Sequence, residues 1–214
     1  MKTLIIGANG KIGKILSKKL KKSHHTPVAM VRKESQKADF NNAGIETILA
    51  DLEEDFEHAF EGVNTVVFTA GSGGHTGPDK THLVDRIGAK KAIDFAVKKN
   101  IQQFIMVSAL GADASPDKWP DSMKHYYEAK ADADKHLMQS GLNYTIIKPG
   151  RLTDDQGTNQ VLLDVEIPRA NLQIPRTDVA TVIEKSLGQE HLYQQSLELL
   201  SGDTPIDDAI ARLN

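Results

Sequence analysis

Apolar residues arrive along this chain in two alternating rhythms. Residues 3–6, 26–31, 46–52, 63–70, 103–110 and 142–148 form short apolar runs rich in β-branched side chains. Such runs read as strands buried on both faces of a sheet. Longer stretches between them repeat at helical spacing. Ile12, Ile15, Leu16 and Leu20 share one face while lysines take the other. Over residues 79–99 the shared face is Leu83, Ile87, Ala92, Ile93, Ala96 and Val97, and a further helix is predicted from about 123 to 140. Pro149-Gly150 stops the sixth strand. Strands alternating with helices predict an α/β fold, a doubly wound parallel sheet with right-handed crossovers. Beyond Gly150 the pattern is less regular: a strand over 160–167, a helix over 178–187 and a strand over 196–200. A last helix is marked by Thr204 as N-cap, Pro205 at the first helical position and Asp207 in the first turn.

The first strand runs directly into Gly7-Ala-Asn-Gly10-Lys-Ile-Gly13, and a helix follows. Glycines at a strand-to-helix turn allow a tight bend, close approach of a phosphate and close packing of helix on strand. The helix would point its free N–H groups and positive dipole end at an anion. The spacing is GxxGxxG, and strand before and helix after supply the context a dinucleotide site needs. A glycine turn without a ligand is the alternative.

Later strand ends add candidates. Arg32 and Lys33 follow the second strand, where an NAD-selective site would place a carboxylate for the ribose 2′-hydroxyl. A guanidinium instead pairs with a 2′-phosphate, so NADP is favoured over NAD, unless Arg32 is a plain surface cation. Asp51 ends the third strand, suited to accept from an adenine amino group with Leu52 packing on the ring, or equally to cap a helix. Ala70 leads into Gly71-Ser-Gly-Gly-His-Thr-Gly-Pro78, a glycine-rich loop placed to cover a cofactor or merely to connect.

Composition narrows the class. At 214 residues, 39% hydrophobic and 26% charged, the chain has the make-up of one soluble domain. A net charge of −3 gives no reason to expect nucleic acid or an anionic membrane as partner. No apolar run approaches the ~20 residues of a membrane span, and no signal peptide precedes the first strand, so a cytoplasmic location is expected. The absence of cysteine excludes disulfides, thiolate metal sites and cysteine nucleophiles. The eight histidines are scattered without metal-ligand spacing, so all read as surface residues and no metal is expected.

Seven short motifs in order resemble the atypical short-chain dehydrogenase/reductases, small NAD(P)-binding Rossmann-fold proteins. They are Gly7-x-x-Gly10-x-x-Gly13, Val31-Arg32, Ala50-Asp51-Leu52, Val107-Ser108, Tyr126-x-x-x-Lys130, Tyr144-Thr-Ile-Ile-Lys-Pro149-Gly150 and Arg176-x-Asp178-Val179-Ala180. The match spans essentially the whole chain. It implies a single NAD(P)-binding domain over 1–214, with about 151–200 forming a small substrate-side subregion or lid. It further implies a nucleotide held by Gly7, Asn9, Gly10, Lys11, Ile12 and Gly13, then by Arg32, Asp51, Leu52, Ala70, Gly71, Ser72, Lys130 and Pro149.

For catalysis the resemblance implies a Tyr–Lys pair. A free phenol, with a pKa of about 10, is a poor base at neutral pH. An ammonium at Lys130 would lower that value and let Tyr126 exchange a proton with the substrate oxygen. The family commonly adds a hydroxyl after the fifth strand, second of a Ser-Ser or Ser-Thr pair. Here the pair is Ser108-Ala109, leaving Ser108 or Ser115 as substitutes, or none. The function implied is NADP(H)-dependent reduction of a small carbonyl or quinone, by a monomer or homodimer. Extended relatives that act on nucleotide sugars usually carry a longer C-terminal region than the 64 residues that follow Gly150 here. The resemblance therefore implies a small carbonyl, quinone or flavin rather than a large sugar nucleotide. The alternatives are a nucleotide-binding redox sensor with little turnover and a flavin- or biliverdin-type reductase working by direct hydride transfer.

Overall fold

The computed structural model describes residues 1–73, 76–169 and 172–213. Gly74 and His75 of the glycine-rich loop lie outside the described residues. Strands β1 (Lys2–Ile6), β2 (Thr26–Val31), β3 (Glu46–Leu49), β4 (Thr65–Phe68), β5 (Gln103–Val107) and β6 (Tyr144–Pro149) form the first part of one sheet. The sheet continues with β8 (Gln160–Asp164), β10 (Gln195–Ser201) and the two-residue β11 (Thr204–Pro205). Its spatial order is β11-β8-β10-β6-β5-β4-β1-β2-β3. Seven strands pair in parallel, and at one edge β8 runs the other way, antiparallel to both β10 and β11. A separate two-stranded sheet pairs β7 (Arg151–Thr153) with β9 (Gln173–Pro175).

Alternation along each strand builds two cores. Ile5, Ala29, Val31, Val67, Ile105 and Ile147 face helices α1 (Lys11–Lys22), α6 (Arg176–Ser186) and α7 (Ile206–Ala211). Leu4, Ile6, Val66, Phe68, Phe104 and Met106 face the opposite layer, which includes α4 (Ala89–Lys98) and α5 (Lys124–Met138). Burial on both faces explains why these strands read as unbroken apolar runs. The short α2 (Lys37–Asn42), which anchors Phe40 beneath α1, carries too few apolar positions to be visible in the sequence.

Two expectations need correction. The stretch 79–99 is not one regular helix: α3 (Pro78–Lys80) leads into a π-helical segment, Thr81–Gly88, before α4. The wider turn rotates the expected face away, so Leu83 and Ile87 are exposed while Thr81, Asp85 and Gly88 are buried. Val97 at the far end is exposed too. The C-terminal strands β8, β10 and β11 extend the main sheet, and α6 covers it. Second, Thr204 and Pro205 pair with β8, so α7 begins at Ile206 with Pro205 as its cap residue.

Candidate nucleotide and active site

The reversal of strand order falls between β1 and β4, and the glycine turn stands at that point. Gly7 closes β1 with φ +87°, and a Cβ there would lie 2.5 Å from the Ala70 nitrogen at the end of β4. The Gly10 N–H donates to the Gly7 carbonyl at 2.9 Å, closing the turn. A Cβ on Gly13 would lie 2.3 Å from that same carbonyl, so only glycine allows α1 to start so close to the strand. The Lys14 N–H reaches back to Gly10, which leaves the N–H groups of Lys11, Ile12 and Gly13 without a carbonyl one turn earlier. Ile12 packs into the core beneath.

Beside this turn is a cleft of about 400 Å³. It brings together Gly7, Asn9 and Gly10 with Arg32, Asp51 and Leu52, and with Ala70, Gly71 and Ser72. Leu52 is held against Gly88, where a Cβ would come within 3.0 Å of its own. Asp51 Oδ1 accepts from the Glu53 N–H at 3.1 Å, so the capping turn and the cleft position coexist. Gln36, unnoticed in the sequence, lines the cleft and accepts from the backbone N–H groups of Arg32 and Lys33 at 2.9 and 3.1 Å. It thereby fixes the chain that presents the exposed Arg32 guanidinium. Lys11, Ile12, Gly13, Lys130 and Pro149 do not line the cleft. Lys11 is paired with Asp154, whose other oxygen accepts from Arg176 at 2.7 Å. The Pro149 carbonyl accepts from the Leu110 N–H at 3.0 Å. A Cβ-free cradle at a helix start, joined to a half-apolar cleft with a cation at its rim, fits a nicotinamide dinucleotide.

Tyr126 and Lys130 occupy successive turns of α5, with Lys130 Nζ 5.8 Å from the Tyr126 ring centre. The Lys130 ammonium is buried, donates to the Val107 carbonyl at 3.3 Å and lies 3.4 Å from Asp85 Oδ1. Burial opposes its charge, yet Tyr126, Asp85 and Asp134 outweigh burial and hold its pKa above the ordinary value. At Tyr126 the expected pull of Lys130 is present but outweighed, and the pKa lies above its ordinary value. Burial pushes the phenol up, Lys130 pulls it down, and the nearby Asp85 carboxylate reinforces burial. Ser108 donates its hydroxyl to Asp134, which burial pushes up to about 6. Ser115 is turned to Asp117. Asp85 and Asp134 were missed in the sequence because each sits on a helix among many charged residues, without a motif of its own.

His25 also departs from expectation: it is buried, and burial followed by the neighbouring charges of His24 and the N-terminus lowers it to about 4. Among the described residues no group of three or more His, Cys, Asp or Glu could hold a metal ion, and no helix is long and apolar enough to cross a membrane.

A family model described as NAD(P)H-binding matches residues 7–190. The chain is 46% identical over 217 residues to the uncharacterized sugar epimerase YhfK of Bacillus subtilis, with all of both chains covered. A solved Bacillus halodurans protein, named as an NAD-dependent epimerase/dehydratase, superposes with a TM-score of 0.95 at 44% identity over 99% of each chain. The oxidoreductase ylbE of Lactococcus lactis superposes with a TM-score of 0.87 at 30% identity, covering 100% of this chain and 96% of that one.

Proposed function

The chain belongs to the NAD(P)H-binding family of Rossmann-fold proteins, and from that premise we propose that it is an NADP(H)-dependent oxidoreductase reducing a small carbonyl or quinone. The carrying observation is the Tyr126 phenol one helical turn from a buried ammonium held by Asp85. NADPH, when bound, supplies the hydride. The protein's part is to hold the nucleotide on the glycine turn and to manage one proton. A phenol kept protonated by burial is an acid rather than a base, so Tyr126 donates to the substrate oxygen as reduction proceeds. Lys130 stabilises negative charge developing on that oxygen and holds the nicotinamide ribose. Arg32, steadied by Gln36, pairs with the 2′-phosphate that distinguishes NADP from NAD.

Turnover of Tyr126→Phe across a panel of carbonyls and quinones tests this reading. The expected result is a loss of about 10²-fold or more in kcat with NADPH affinity kept. Full turnover excludes Tyr126 as the acid. One observation favours a second reading: Ser108 is committed to Asp134 and Ala109 has no hydroxyl, so the usual substrate-orienting donor is missing. Direct hydride transfer to an acceptor such as a flavin would need neither that donor nor Tyr126, and it survives the same substitution.

A further inference from the structure

The Asp85 side chain is completely buried, and it faces two ways. Its Oδ2 accepts from the Ser72 backbone N–H at 2.8 Å, in the loop that follows β4. Its Oδ1 stands 3.4 Å from the Lys130 ammonium without a well-aligned hydrogen bond. A Cβ on Gly71 would lie only 3.2 Å from that oxygen, so the loop backbone packs directly on the carboxylate. A second tie joins the same loop to the same π-helical segment: Ser72 Oγ and Thr81 Oγ1 are 3.1 Å apart. The π geometry is what turns Asp85 inward, in place of the apolar residues that flank it. Burying a carboxylate and an ammonium together rarely improves stability over apolar neighbours, so such a pair calls for another role.

We propose that Asp85 is a positioning residue for the nucleotide: it fixes the Ser72 amide and the Lys130 ammonium relative to each other, so that both meet the nicotinamide-ribose end together. This rests on the reading that Lys130 contacts bound NADP(H). The other groups around the ammonium are Tyr126 and Asp134 on its own helix and the Val107 carbonyl from β5. The one other carboxylate beside the ammonium, Asp134, is engaged by Ser108.

The test is a double-mutant cycle on the full chain, with NADPH dissociation constants read from nucleotide fluorescence and folding checked by circular dichroism. Asp85→Asn keeps an acceptor for the Ser72 N–H and removes the charge that holds Lys130. Asp85→Asn and Lys130→Met are each expected to weaken NADPH binding about 10-fold, and the double variant to bind no more weakly than Lys130→Met. A merely structural Asp85 would give additive losses, which overturns the proposal, as does an unchanged dissociation constant in folded Asp85→Asn. If Asp85→Asn alone fails to fold, Lys130→Met with and without it still decides, since the neutral pair leaves no unpaired buried charge. Wild-type affinity in Lys130→Met overturns the underlying reading as well, and is told apart by which single variant is silent.

Discussion

Ser108 donates its hydroxyl to Asp134 across 2.5 Å inside the protein. A serine has one proton to give, so this hydroxyl cannot also donate to a substrate oxygen. Ser108→Ala is expected to change kcat less than about 5-fold while costing about 1–3 kcal/mol of stability, because Asp134 loses its partner. Paired kinetics and urea melts check this. A loss of 10²-fold in kcat at unchanged stability would reinstate Ser108 as the substrate donor.

Asp134 and His25 give stability opposite dependences on pH. Asp134 binds its proton at about 6 in the folded chain against an ordinary 3.8. Its stabilising contribution is therefore full below 3.8 and lost as pH rises through about 6, a difference of roughly 3 kcal/mol. His25, lowered from 6.5 to about 4, contributes stability above 6.5 that is lost as pH falls through about 4. Urea melts between these limits should show, relative to wild type, Asp134→Asn losing stability on acidification and His25→Gln gaining it. Equal slopes in the two variants would contradict the assignment.

Arg32→Ala is expected to weaken NADP binding about 10-fold and to leave NAD binding within about 2-fold, since only the former carries a 2′-phosphate. Titration with both nucleotides measures the ratio. An unchanged ratio removes Arg32 as the selectivity residue.

Gly13→Ala places a methyl 2.3 Å from the Gly7 carbonyl, with no flexible side chain to yield. Loss of nucleotide binding is expected even in preparations that remain folded, because α1 must shift off the turn. Wild-type NADPH affinity in this variant would show that the turn does not carry the pyrophosphate.

Asp154 binds Lys11 and Arg176 at once, both cations beside the nucleotide turn. Asp154→Asn frees them, and NADPH affinity should rise about 3-fold at ~0.05 M salt and much less at ~0.5 M. An affinity that ignores both the substitution and the salt would show that Lys11 does not meet phosphate.

The sequence reads well where one rhythm governs a segment. β2 has its expected bounds, and the glycine turn, Arg32, Asp51 and Gly71 meet around one cleft. Legibility fails where geometry departs from regular periods. The π-helical segment defeats a helical count, and so Asp85 was hidden while Leu83 and Ile87 looked internal. Charge environments are equally opaque: the Tyr126–Lys130 spacing is plain, but the burial and the two carboxylates that set their protonation are not, one carboxylate coming from the π-helical segment and one from α5 itself. The edge of the sheet was misread because Thr-Pro marks a helix start locally, whereas pairing with β8 is a long-range fact.

That edge has a consequence for self-association. β11 ends on Pro205, which has no N–H to offer a further strand, and it is only two residues long. At the opposite margin β3 spans four residues and begins with Glu46, ion-paired to Lys2. Neither rim offers a long apolar edge, which disfavours strand addition between copies.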